Sequence, residues 1–256
     1  MRLSPLASTA LLGAALFGLP LSSNAAEEKA FPTAVEAIDG QSLRLADGTI
    51  LRLAGIVAPD AQIGPERRVA EEARKALQTL AVGRSLQPQQ PTDRRDLHDR
   101  LLVQVVTGEG RWLQGELLQA GLVRVWTQSD AIERSAEMLA LEAKAREARR
   151  GLWALPYFAI LSPETAPAAL DRFQIAEFTV AEVARVRGTV YLNAGSDWRS
   201  DLTVRLERPA AKLFADAKQD LSALKGKKIR VRGWLRLYNG PFMDVTHPQQ
   251  IEVLGP

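Results

Sequence analysis

The chain has 256 residues, 46% of them apolar and 25% charged, which is the balance of a globular protein long enough for one large core or two small ones. There is no cysteine, which excludes disulfides and thiolate metal sites, and the only two histidines, His98 and His247, argue against a histidine-rich zinc centre. A formal net charge of +3 is too small to single out a polyanionic partner by itself.

Residues 1–25 read as a cleavable export signal. Arg2 is followed by an apolar run from Leu6 to Leu21, and small residues at Ser23 and Ala25 suit a cut after Ala25. A periplasmic or secreted protein with no membrane span after that cut is expected. From Thr33 to Asp39, Ser42 to Ala46 and Thr49 to Ala58, three strand patterns follow one another, the last two joined by the hairpin pair Asp47-Gly48. Pro65 to Val82 has helical spacing at Val69, Ala73, Ala76, Leu77 and Leu80, and Gly83 is its stop. Arg100 to Leu113 suggests a hairpin turning at Gly108 to Gly110. Leu113 to Trp126 starts as a short helix ended by Gly121. Residues 130–152 form a charged helix with an expected buried stripe of Ala136, Leu139, Ala140, Ala143 and Ala148. Three strands, a helix and two more strands are the order of an OB-fold barrel, here residues 26–154.

Leu155 to Leu170, rich in proline and alanine, reads as part of a linker over 155–171. A similar order then repeats in residues 172–256: strand patterns at Phe178–Val186, Gly188–Gly195 and Asp201–Glu207, a helical pattern over Pro209–Gly226, and a hairpin over Lys227–Val245 turning at Asn239-Gly240. The expected class is α+β, mostly β, with a second, smaller OB-like barrel after the first. Charge separates the halves: residues 26–171 carry 18 basic and 21 acidic groups, whereas residues 172–256 carry 14 and 9. Two stretches stand out in the basic half, Asp197 to Val204 and Lys225 to Gly240. Alternation along the latter puts Arg230, Arg232, Trp234, Arg236 and Tyr238 on one strand face. Basic and aromatic side chains on one face suit a single-stranded nucleic acid; the competing reading has Trp234 in the core and the arginines paired with acids across the sheet.

Five segments in order carry a family resemblance: Ile38 to Leu45 (IDGQSLRL), Arg52 to Asp60 (RLAGIVAPD), Asp96 to Arg100 (DLHDR), Leu117 to Trp126 (LLQAGLVRVW) and Ala148 to Trp153 (ARRGLW). Together they resemble the staphylococcal-nuclease-like, or thermonuclease, family of secreted phosphodiesterases, from about Val35 to Trp153. The resemblance implies that Arg52 and Arg100 clamp the scissile phosphate, that Asp60 takes the place of the carboxylate handling the attacking water, and that His98 lies where a nucleotide-contacting group is found. It implies calcium as cofactor, with Asp39 and Gln41 at metal positions. Here Gln41 and Val57 replace carboxylate ligands, and a hard cation wanting six to eight oxygens finds one neutral amide oxygen at Gln41 and no side-chain oxygen at Val57. The resemblance therefore implies either a nuclease with weakened or lost calcium dependence, or a non-catalytic module binding single-stranded DNA or RNA. An envelope protein binding a protein partner is the third reading.

Overall fold

The computed structural model describes residues 1, 31–89, 93–197 and 199–255. The expected export signal, Met1 aside, and Trp198 lie outside the described residues. In the first domain, strands β1 (Ala34–Ala37), β2 (Ser42–Leu45) and β3 (Ile50–Leu53) form the expected meander, and β3 continues after a bend into β4 (Ile56–Val57). The bend needs Gly55, which has φ +80 and would place a Cβ within 2.8 Å of the Met138 sulfur. Helix α1 (Arg67–Ala81) follows, burying Val69, Ala70, Ala73, Leu77, Leu80 and Ala81. Next come β5 (Leu86–Pro88), β6 (Leu101–Val103), β7 (Val105–Thr107), α2 (Leu113–Gln119), β8 (Arg124–Val125) and α3 (Ser135–Glu147).

The main sheet has the order β1-β2-β3-β6, antiparallel except for the parallel β3–β6 pair. β4–β8 and β5–β7 are separate two-stranded pairs, so the chain changes sheets between β3 and β4 and between β6 and β7. The expected stripe on α3 is wrong. The helix buries Met138, Glu142 and Ala145, at helical spacing but with a carboxylate at the centre.

The expected linker is packed. Phe158 joins Val69 and Leu152 in a small apolar cluster of the first domain, whereas Leu161, Ala166 and Ala169 belong to the core of the second. That second core lies under β9 (Arg172–Thr179), β10 (Glu182–Val186), β11 (Thr189–Asn193), β12 (Thr203–Leu206), α4 (Arg208–Asp216), β13 (Lys228–Leu237), β14 (Pro241–Asp244) and β15 (Ile251–Val253). The expected helix over 209–226 stops early, because Lys218 turns into a left-handed conformation (φ 57) and a 3-10 turn over Leu221–Leu224 follows, capped by Asp220.

The sheet runs β10-β11-β12-β14-β13-β15, with β9 also pairing with β13. β12 and β14 are parallel; the other pairs are antiparallel. β9 and β10 are separated only by Val180 and Ala181, so consecutive segments lie towards opposite ends of the sheet. Among the described residues neither main sheet closes into a hydrogen-bonded barrel, and the α+β, mostly β class holds with open sheets. No helix among the described residues is long and apolar enough to cross a membrane.

Candidate nucleic-acid interface

Arg52 sits in the middle of β3, opposite Ser42 on β2 and Leu102 on β6. A central strand position holds the guanidinium low in the site, and the Nη1 atom is buried with no hydrogen-bond partner. Burial disfavours its charge, Arg100 repels it, and Asp39 and Asp96 only partly compensate, so its pKa falls to about 10. The group stays cationic at neutral pH, with both Nη1 N–H donors unused.

Arg100 precedes β6 and is held by Asp96, whose Oδ2 accepts from Nε (2.7 Å) and Nη2 (2.6 Å) and whose Oδ1 accepts from the Arg100 backbone N–H (3.1 Å). Burial works against the Asp96 charge, but donors from Arg100 and the His98 backbone outweigh it and hold the carboxyl below the usual range. His98 itself is exposed, with its N–H on Asp96 Oδ1 (2.9 Å). The structure brings Arg52 and Arg100 near enough to interact electrostatically, while Asp96, to which the sequence pattern assigned no role, orients the second arginine. A carboxylate four residues before an arginine in a short loop was the available signal.

The metal positions are occupied otherwise. Asp39 Oδ1 accepts the Gln41 N–H (2.8 Å) and Oδ2 the Ser42 hydroxyl (3.2 Å). The Gln41 side-chain oxygen accepts the Ala58 N–H at 2.7 Å, tying β2 to the end of β4. Val57 lies in an apolar cluster with Phe173 and Ile175 of β9, flanked by Trp126, Trp153 and Ile160. Among the described residues no group of three or more His, Cys, Asp or Glu could hold a metal. These residues do not fit calcium.

Asp60 is exposed and accepts the Gln62 N–H (2.8 Å). Its backbone N–H donates to Glu66, a buried carboxylate just before α1 that the sequence reading passed over. No hydrogen bond or ion pair among the described residues joins Asp60 to Arg52 or Arg100.

The expected basic face of β13 divides in two. Arg232 is 0% exposed. Its Nη1 donates to Glu142 Oε2 (2.9 Å) and the Val125 carbonyl (3.2 Å), and its Nη2 to Glu252 Oε1 (2.6 Å). Burial opposes its charge, but Glu142 and Glu252 outweigh that and raise its pKa. Arg230 pairs with Glu177 and Glu252. Neither arginine is open to a strand, because this part of β13 is where the second domain packs on the first and where Glu142 of α3 reaches it. Trp234 is exposed rather than in the core, edge-on to Phe173 at 6.3 Å. Arg236 and Tyr238, farther along the same face, are exposed.

More contacts join the domains. Arg124 donates to the Phe173 carbonyl (2.9 Å) and lies over the Phe173 and Phe158 rings, at 4.8 and 5.2 Å from their centroids. Burial lowers its pKa to about 10 despite Glu66 and Glu142. Buried His247 hydrogen-bonds Thr127 through Nε2 (2.8 Å) and Thr246 through Nδ1 (2.9 Å), and burial drops its pKa to about 4 against the weaker pull of Asp130.

The arginine pair, the loop that presents Arg100 and the β3–β4 segment ending at Asp60 all fall within one family match. A family model described as staphylococcal nuclease homologue matches residues 50–155. No curated protein matches the chain. The chain therefore carries a staphylococcal-nuclease-homologue domain, followed by a second sheet domain outside the match.

Proposed function

We propose that this is an exported nucleic-acid-binding protein whose nuclease-like domain grips phosphodiesters with Arg52 and Arg100 and has lost calcium-dependent cleavage. The observation that carries the reading is the buried, unpartnered Nη1 of Arg52 beside a second arginine. A buried donor without an acceptor costs free energy, and two cations close together repel; an anion between them relieves both. A phosphodiester oxygen is an acceptor of the right charge, and a guanidinium fork suits it.

Hydrolysis needs more than grip. It needs an activated water and groups that take charge on the phosphoryl oxygens. The carboxamide oxygen of Gln41 accepts from Ala58, Val57 has no side-chain oxygen to offer, and the Asp60 carboxylate holds the Gln62 N–H. These features favour binding over turnover. Single-stranded DNA or RNA is the partner proposed, and the leader-like sequence to Ala25 supports a periplasmic or secreted location.

The test is fluorescence anisotropy of the mature protein with labelled single-stranded DNA and RNA in the presence of a chelator. Arg52→Ala should weaken binding roughly tenfold or more, as expected for a lost charge-assisted hydrogen bond. Unchanged affinity in a folded Arg52→Ala protein would remove the reading.

A further inference from the structure

The outer face of the second sheet carries a groove of about 510 Å³, within the range of about 300–1,000 Å³ usual for small-ligand sites. Strand register fixes its floor. Arg236 stands opposite Phe242, Phe242 beside Thr203, Thr203 opposite Asn193 and Asn193 opposite Glu182, so one row crosses β13, β14, β12, β11 and β10. Tyr191 lies on the same face, and the turn at Tyr238-Asn239 forms one wall. Tyr238 is 68% exposed, with its ring edge-on to Phe242 at 5.7 Å.

The polar groups are oriented. The Thr203 hydroxyl donates to the Asn193 side-chain oxygen (3.1 Å), which leaves the Asn193 amide N–H donors for the groove. The lining holds one carboxylate, Glu182, and no cation. Arg236, exposed and without an ion pair among the described residues, stands at the end of the row, in a domain with 14 basic and 9 acidic groups. An anion is therefore favoured beside the groove and disfavoured within it. A matching ligand has a flat neutral part bearing amino groups, joined to an anionic part.

We propose that this groove holds one unpaired nucleobase of a single-stranded nucleic acid, stacked on the exposed ring of Tyr238 and flanked by Phe242, with its amino edge toward Glu182 and its phosphate toward Arg236. Aromatic side chains accept the π-face of any base, and a carboxylate accepts from exocyclic amines, which cytosine has and thymine lacks. The site is separate from the Arg52–Arg100 pair. It gives the chain a second contact with the same class of partner.

The experiment measures anisotropy of labelled oligo-dC and oligo-dT with the full mature chain, in the parent and in an Arg52→Ala background. Binding should survive in that background. There, Tyr238→Ala should weaken oligo-dC binding about fivefold or more with an unchanged salt slope. Arg236→Ala should lower the slope of log affinity against log salt by about 0.7. Glu182→Gln should erase a preference for oligo-dC over oligo-dT. If Arg52→Ala abolishes all binding, the groove proposal fails and the phosphate-clamp reading stands. If Tyr238→Ala and Arg236→Ala bind like their parent, or a neutral oligosaccharide displaces the oligonucleotide, the groove holds something else and the proposal is overturned.

Discussion

Replacing Glu142 by glutamine should destabilise the whole chain, although the change is nearly isosteric. Glu142 is fully buried on α3, where Oε1 accepts the Val125 N–H (2.7 Å) and Oε2 accepts from Arg232 of the second domain. Glutamine can still accept from Val125. Its amide N–H₂ then points at a guanidinium, donor against donor, and the buried Arg232 keeps only Glu252 as a charge partner. Breaking a buried pair by removing one member costs about 3–5 kcal/mol, and the surviving Glu252 contact places the expectation near about 3 kcal/mol. At about 2–4 °C per kcal/mol for a chain of this size, Tm should fall by roughly 6–12 °C. Urea unfolding followed by tryptophan fluorescence gives the number, and the double variant Glu142→Met/Arg232→Met supplies the control, since a buried ion pair exchanged for apolar side chains is often neutral or better. A loss below about 1 kcal/mol for Glu142→Gln, or a double variant no more stable than the single one, would refute a buried ion pair that joins the two domains.

Restoring carboxylates by Gln41→Asp with Val57→Asp should not produce a calcium-dependent nuclease. Val57→Asp puts a carboxylate into the cluster with Phe173 and Ile175, and a loss of several kcal/mol in urea unfolding is expected; calcium-stimulated cleavage by a folded double variant would contradict this. His247 has a folded-state pKa of about 4, below its unfolded value, so its contribution is complete above about pH 6.5 and is lost as pH falls toward about 4. The full span is about 3 kcal/mol, and His247→Gln should flatten the stability–pH curve of the parent in that window; parallel curves would show that His247 is not the group responsible.

Local pattern carried much of the fold. The α1 stripe, the Asp47-Gly48 and Asn239-Gly240 turns and the strand-rich order are properties of neighbouring residues, and each stands where expected. Arg232 was misread, and Glu142 was left out of the buried stripe, for one reason. Their partners are 90 residues apart, so a carboxylate on a buried stripe and an arginine on a buried strand face make sense only as a pair. The same cause turned a proline- and alanine-rich linker into packed chain, because Phe158 and Leu161 find their neighbours in different cores. Arg52 and Arg100 were singled out by family resemblance alone, and the structure adds that the two guanidinium groups repel each other. Asp39 and Gln41 were legible as positions but not as a network. That Gln41 spends its oxygen on the Ala58 N–H depends on how β4 bends back, which no local spacing reveals.

Arg52 and Arg100 are proposed to hold a phosphodiester without calcium. The most direct test titrates the mature protein with an end-labelled single strand, in chelator and in millimolar calcium, following anisotropy and strand length together. Expected are the same affinity in both conditions, a full-length strand after prolonged incubation, and no calcium-induced rise in Tm, since ligand stabilisation needs a binding site. Calcium-dependent shortening of the strand that disappears in Arg52→Ala would contradict the proposal.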